Sequence, residues 1–132
     1  MATIRRFEDL EAWKKSREFS KEIWGKTLNG TFSKDYKLKD QINDSSGSAM
    51  DNIAEGFGRG GRPEFINFLS IAKGSNDETK SQLYRALDRR HIDETEFQRL
   101  YCIGDEAGKT ISGLMEYLNK SVIRGQKFKD RK

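Results

Sequence analysis

Two long stretches of helical periodicity meet across a glycine-rich turn in the middle of the chain, and that junction limits the fold more than any other feature. The first stretch ends in Asn52-Ile53-Ala54-Glu55-Gly56, and the second runs through Phe65-Ile66-Asn67-Phe68-Leu69 to Ile71-Ala72-Lys73-Gly74-Ser75. Between them lies Gly58-Arg59-Gly60-Gly61-Arg62, followed by Pro63, which suits a first helical turn because its missing N–H has no partner there. Both stretches carry alanine, serine and glycine at inward positions. Small residues let backbones approach closely, and each interior glycine costs roughly 1 kcal/mol of helix propensity in return. The pattern predicts a tight helical hairpin.

Two further helical patterns flank this hairpin. The first covers residues 7–28, with Phe7, Leu10, Trp13, Ser20, Ile23, Trp24 and Leu28 inward. The hairpin helices cover 33–58, with Ser33 as N-cap and Leu38, Ile42, Ser45 or Ser46, Ala49, Ile53 and Phe57 inward, and 63–90, with Phe65, Phe68, Leu69, Ala72, Ser75, Thr79, Leu83, Ala86 and Leu87 inward. The last covers 94–119, opened by Asp93 and Glu96 as a capping box, with Phe97, Leu100, Ile103 or Gly104, Ala107, Ile111, Leu114 and Leu118 inward. Short connections make successive helices antiparallel neighbours. The expectation is an all-α, up-down-up-down antiparallel four-helix bundle over residues 1–119, with a basic, mobile tail over 120–132.

Composition agrees with thin, two-faced helices. The chain is 34% apolar and 35% charged, and it holds a single proline in 132 residues. Its net charge of +4 is unevenly placed: residues 120–132 hold six basic groups against one acidic, leaving 19 basic and 20 acidic groups before them. A near-neutral body is no general magnet for phosphate. A small bundle leaves much of its surface exposed, so burial between copies is expected. The lone cysteine, Cys102, excludes an internal disulfide and reads as a small buried or half-buried side chain. The N-terminus lacks the apolar run of a signal peptide, and no segment reaches the roughly 18 apolar residues of a membrane span. A soluble, cytoplasmic protein without membrane contact is expected.

Phe7-x-x-Leu10-x-x-Trp13, Gln41-Ile42, Asn52-Ile53-Ala54-Glu55-Gly56 and Glu64-Phe65-x-x-Phe68-Leu69-x-Ile71-Ala72-x-Gly74-Ser75 follow one another at a distinctive spacing. The chain resembles, over roughly residues 7–118, the four-helix-bundle proteins encoded by intervening sequences within bacterial large-subunit ribosomal RNA genes. That resemblance implies a homopentamer, with five bundles around a central channel. A related bundle is the accessory variability determinant of diversity-generating retroelements, which binds nucleic acid and a reverse transcriptase, so RNA, DNA or a protein of that kind are the partners the resemblance implies. Arg62-Pro63 departs from the family pattern, which has a small hydroxyl residue before the position of Glu64.

No catalytic constellation is expected. His91, the only histidine, reads as a solvent-exposed linker residue. Carboxylates interleave with lysines at helical spacing, as on solvated faces. No Glu-x-x-His pair or metal-ligand spacing is present, so neither metal nor cofactor is expected. The glycine-rich turn follows a helix and lacks a Gly-Lys-Ser/Thr ending, so it reads as a helix C-cap and hairpin turn rather than a phosphate loop. Asn52, Glu55, Gly56, Gly74 and Ser75 form a structural signature; Asn52 and Glu55 flank the inward Ile53 and are expected to bond a neighbouring helix, the facing turn or another subunit. Nucleic-acid candidates are Arg59 and Arg62 at one pole, Arg85, Arg89 and Arg90 at the other, and Lys127, Lys129, Arg131 and Lys132 in the tail. The competing reading of these arginines is capping and pairing with Asp88, Asp93 and Glu94. With few exposed aromatics beside them, any binding would be to phosphates and strongly salt-dependent. The expected function is a non-enzymatic homo-oligomeric scaffold or nucleic-acid accessory; the alternative is a protein-interaction module.

Overall fold

The computed structural model describes the backbone of residues 4–130 and the side chains up to residue 120. Four α-helices follow in order: α1 Glu11–Lys26, α2 Tyr36–Gly58, α3 Arg62–Asp88 and α4 Glu94–Asp130. Short 3-10 helices, Phe7–Asp9 and Gly30–Lys34, precede α1 and α2. Among the described residues there is no strand. Helix α2 packs on α3, α3 on α4, and α1 on both α2 and α4, which closes the antiparallel four-helix bundle. The backbone of α4 stays helical to Asp130, beyond the expected end at Asn119. The expected mobility of residues 120–132 falls largely outside what the structure describes.

The core forms two apolar clusters. One joins Phe19 and Ile23 of α1 to Leu38 and Ile42 of α2, Leu83 of α3 and Phe97 and Leu100 of α4, with Phe32 and Ile92 beneath the connections. The other joins Leu10 and Ala12 to Ile53, Phe65, Leu69, Ala72, Ile111 and Leu118. Small and polar buried residues lie between them in sequence on every helix: Ser16, Ser45 and Ser46, Asn76 and Thr79, and Gly104, Ala107 and Gly108. In α2 the expected inward positions are buried through Ile53, with Phe57 half-buried. In α3 Phe68, Ser75 and Leu87 are only half-buried, while Asn76 and Gln82 are buried.

The α1 stripe differs from expectation. Ala12, Ser16, Phe19, Ile23 and Thr27 are buried, whereas Trp24 is 51% and Leu28 47% exposed. Bulk misleads here. Phe19 turns inward because Gly104 of α4 leaves room: a Cβ at Gly104 would stand 2.5 Å from Phe19 Cζ. Trp24 lies one position outside the stripe, where the Lys39 ammonium sits 5.7 Å from its ring centroid.

The α2–α3 hairpin packs backbone close to backbone at Gly56. A Cβ at Gly56 would stand 2.5 Å from Phe68 Cβ and 3.1 Å from the Phe65 ring, so only glycine permits this approach. Farther along the seam Ser45 Oγ lies 2.7 Å from Thr79 Oγ1 and 2.6 Å from Gln82 Oε1. These buried bonds fix the register of the two helices.

At the other pole the start of α2 is tied to the end of α3. Asp35, not Ser33, is the α2 N-cap, its carboxylate accepting from the Leu38 N–H at 3.4 Å. Ser33 is used up inside the 3-10 turn, donating to the Gly30 carbonyl at 2.7 Å. Helix α3 ends in a Schellman motif: Arg90 adopts φ 61°, Arg90 N–H donates to Leu87 O at 3.0 Å and His91 N–H to Ala86 O at 2.9 Å. That reversal turns the His91 ring inward, which corrects the expectation of an exposed linker histidine. Its side chain is 9% exposed and stacks on Phe32, with ring centroids 5.0 Å apart. Nε2 lies 2.8 Å from Asp35 Oδ2, and Nδ1 lies 2.8 Å from Thr31 Oγ1. Arg89 adds a further bond to Asp35 Oδ2 at 2.8 Å. His91 first, then Arg89, hold the Asp35 carboxyl down to about 2 from the usual 3.8.

Single substitutions at Gly56 and Asp35 probe these contacts. Gly56→Ala lowers stability by about 1–3 kcal/mol in urea titrations, despite alanine's better helix propensity, because the Phe68 backbone must move. Asp35 carries the second. A carboxyl depressed on folding adds stability above its unfolded pKa and loses it as pH falls through the folded one. Wild type should exceed Asp35→Asn by about 2 kcal/mol at pH 5, and the gap should close as pH falls from 4 towards 2. A gap constant over that range contradicts this reading of Asp35.

Candidate functional site

Of the five body arginines proposed to meet nucleic acid, three are engaged within the chain. Arg59 donates to Glu55 Oε1 at 2.8 Å and lies over the Phe68 ring, 5.2 Å from its centroid. Arg85 donates to Gln41 Oε1 at 3.0 Å. Arg89 is held by Asp35 as described. Arg62 and Arg90 are exposed, and neither has a carboxylate partner among the described residues. The pairing differs from the capping contacts expected with Asp88, Asp93 and Glu94, because Asp35 reaches across from α2. Asp93 instead caps α4, accepting from Glu96 N–H at 2.8 Å. The Glu96 carboxylate does not complete the box; Arg99 engages it and, with Lys26, keeps its pKa below the usual range. Lys127 and Lys129 lie on the helical backbone of α4, but their side chains, with all of Arg131 and Lys132, fall outside the described residues.

Thr31, His91 and Asp35 form a hydroxyl–imidazole–carboxylate chain, the grouping that activates nucleophiles in many enzymes. Ionised Asp35 keeps the proton of a neutral ring on Nε2, so Nδ1 accepts from Thr31. Phe32 covers the ring face, and neither the cleft beside Phe57 and Arg62 nor the one beside Lys80 and Gly108 adjoins the group. Its evident work is to fasten the α1–α2 connection to the α3–α4 connection. Sequence reasoning missed it because the partners lie 56 and 60 positions from His91. Among the described residues no cluster of three His, Cys, Asp or Glu side chains could hold a metal ion.

The signature residues occupy both sides of the α2–α3 seam. Gly56 faces inward. Asn52 donates to Ser48 O at 2.8 Å and Ser48 Oγ at 3.0 Å, and Ser48 Oγ meets Ser75 Oγ at 3.0 Å. Asn52 thus bonds its own helix and reaches α3 only through Ser48. Glu55 is exposed and holds Arg59. Gly74 corrects the expectation of close packing at every signature glycine: no neighbouring atom lies within 4 Å of a Cβ placed there, and the same is true of Gly47. Around this shallow, small-residue strip, Ile71 is 46% exposed, and Asp44, Asp51, Glu55 and Glu78 are exposed acids.

One other surface expectation changes. Cys102 is exposed rather than buried. Tyr84 is 50% exposed beside Phe97 and Tyr101, with the Lys80 ammonium 4.7 Å from the Tyr101 ring centroid. Lys80 is already paired with Asp105 at 3.1 Å, and Asp105 also takes Lys109 at 3.1 Å. Those two lysines, Lys80 first, lower the Asp105 pKa. The aromatic face is therefore near neutrality.

Comparison with known proteins agrees with the geometry. No curated protein matches the chain. A crystal structure of a protein of unknown function from the S23 ribosomal protein family of Bacteroides thetaiotaomicron superposes with a TM-score of 0.72 at 25% identity, covering 79% of this chain and 97% of that one. The family model described as 23S rRNA-intervening sequence protein matches residues 8–113, from the first 3-10 turn into α4, and the chain therefore belongs to that family.

Proposed function

We propose that this chain is a non-enzymatic, self-associating scaffold of the cytoplasm, assembling into the homopentamer that its sequence resemblance implies. The observation that carries this reading is the outer face of α2 and α3. Gly47 and Gly74 each give up roughly 1 kcal/mol of helix propensity, and neither is crowded within the chain. Their flatness serves a helix arriving from outside. Exposed Ile71 supplies apolar area, and Ser48, Asn52 and Ser75 supply polar groups at the floor. The acidic rim of Asp44, Asp51, Glu55 and Glu78 favours a basic face, such as Lys14, Arg17 and Lys21 on α1 of a neighbouring copy. Pairing unlike faces in this way is a heterologous contact, which closes into a ring where the rotation between copies divides a full turn.

Gly74→Gln separates the two demands on this position. It should raise the stability of the isolated bundle by up to about 1 kcal/mol while dissolving the assembly, read by circular dichroism and light scattering. A species of only 15.2 kDa from the wild-type chain at tens of micromolar would sink the ring.

Arg62 and Arg90, exposed and without a carboxylate partner among the described residues, favour a second reading, in which a ring repeats these cations and contacts the phosphates of RNA or DNA. Here Arg62→Gln with Arg90→Gln should weaken binding to structured RNA and flatten its salt dependence, whereas Arg85→Gln should not. The absence of any low-salt shift at micromolar protein removes this reading.

A further inference from the structure

Lys21, Lys34, Lys37 and Lys39 have no carboxylate partner among the described residues, whereas Lys15 pairs with Glu106, Lys73 with Asp77, and Lys80 and Lys109 with Asp105. The partnerless lysines gather around two exposed aromatic rings. Trp24 is 51% and Tyr36 73% exposed. Lys21 stands one turn before Trp24 on α1, Lys34 and Lys37 flank Tyr36, and Lys39 follows Tyr36 by one turn on α2. The Lys39 ammonium, 5.7 Å from the Trp24 ring centroid, joins the surfaces of the two helices into one patch. Exposed Leu28, one turn after Trp24, extends its apolar area. The nearby acids do not cancel the charge. Asp35 is held by Arg89 and His91, and Glu22 by Arg99, which leaves exposed Glu18 and Asp40 against these lysines. The exposed rings elsewhere lack free cations: Tyr84 lies one turn from Lys80, paired with Asp105, and Tyr117 one turn from Lys120, paired with Glu116.

Open rings interleaved with free ammonium groups suit a ligand that alternates flat apolar faces with negative charges. We propose that this patch binds single-stranded nucleic acid, one base stacking on Trp24, another on Tyr36, and the phosphates meeting Lys37 and Lys39. Every base has a π-face, so stacking of this kind is tolerant of sequence. An ammonium acts as a point charge and follows a backbone without fixing its geometry. A duplex is the poorer ligand, because its bases already stack on one another and cannot reach the rings. Neither a ring face nor an ammonium reads the 2′-hydroxyl, so RNA and DNA strands bind alike. The site is complete within one chain and rests on neither the ring nor the Arg62 and Arg90 cations.

The test is titration of the intact chain with oligo(U), oligo(dT) and a duplex, each of about ten nucleotides per strand, read by anisotropy and by tryptophan fluorescence. Half-buried Trp13 packs edge-on against Phe7, with ring centroids 5.1 Å apart, so quenching reports on Trp24. Both single strands should quench the fluorescence and bind about tenfold more tightly than the duplex. Trp24→Ala should weaken the single strands about tenfold and abolish the quench, with the helical circular dichroism and the particle mass unchanged. Lys37→Gln with Lys39→Gln should lower the slope of log affinity against log salt by about 0.7 for each charge removed. Tyr84→Ala, and Arg62→Gln with Arg90→Gln, should leave single-strand binding as it is, which separates this site from the phosphate contacts of the ring. Equal binding of strand and duplex, wild-type affinity in Trp24→Ala, or no binding at low salt would each overturn the proposal. A fall in particle mass on Trp24→Ala would also overturn it, by assigning the patch to a contact between copies.

Discussion

The contact between Gly56 and Phe68 sets the geometry on which the rest of the bundle depends. Because α2 carries no side chain there, α3 can lie almost against its backbone. Close approach brings Ser45, Thr79 and Gln82 within bonding distance, so polar groups can be buried without leaving that seam unpaired. A longitudinal slip would break those bonds and drive Phe68 into α2. The hairpin is therefore specified by shape and by polarity together, which compensates for a core with few large side chains. The same small-residue device recurs on α4, where Gly104 receives Phe19 and Gly108 faces Asn76. Helices α1 and α3 dock against α4 by filling the hollows that its glycines leave.

Polarity inside the core is not fully compensated. Asn76 donates to the Gly104 carbonyl at 2.9 Å, while its Oδ1 and the Ser16 hydroxyl have no hydrogen-bond partner. Substituting such groups by apolar isosteres is often tolerated, so their presence reflects more than stability. On α2 and α3 the hydroxyl groups also thin the wall between inside and outside. Ser45 is buried, Ser48 half-buried, and both bond α3. One polar seam thereby serves the core on one side and the exposed strip on the other.

How much of this was legible in the sequence varies by element. Helices α2 and α3 were readable because small and apolar residues recur there at helical steps, bounded by a run of glycines. The stripe of α1 was misread because Trp24 and Leu28 carry more hydrophobicity than Ala12 and Ser16, although burial follows geometry. The cap of α2 was displaced from Ser33 to Asp35 because a 3-10 turn intervenes. Gly56 and Gly74 were inseparable in the sequence, yet one is crowded and the other open; the difference lies in which face each presents. His91 was opaque for another reason, since its partners come from a connection that precedes it by more than fifty residues. At the basic positions the sequence showed charge but not commitment: Arg59, Arg85 and Arg89 are engaged within the chain, and nothing in their spacing told them from Arg62 and Arg90.

The division of the core into two apolar clusters implies a bundle built as two cells in series. Each cell is closed at its outer end by a different device. At one end Asp35, Arg89, His91 and Thr31 lash the connections together, and Phe32 lies under the lashing. At the other end a glycine turn sits above an open cleft. Cooperativity between the cells passes through serine, alanine and glycine, which make few dispersion contacts. The molecule is then mechanically asymmetric, with a stiff pole and a compliant one, and slow amide exchange should fade from the histidine end towards the glycine end.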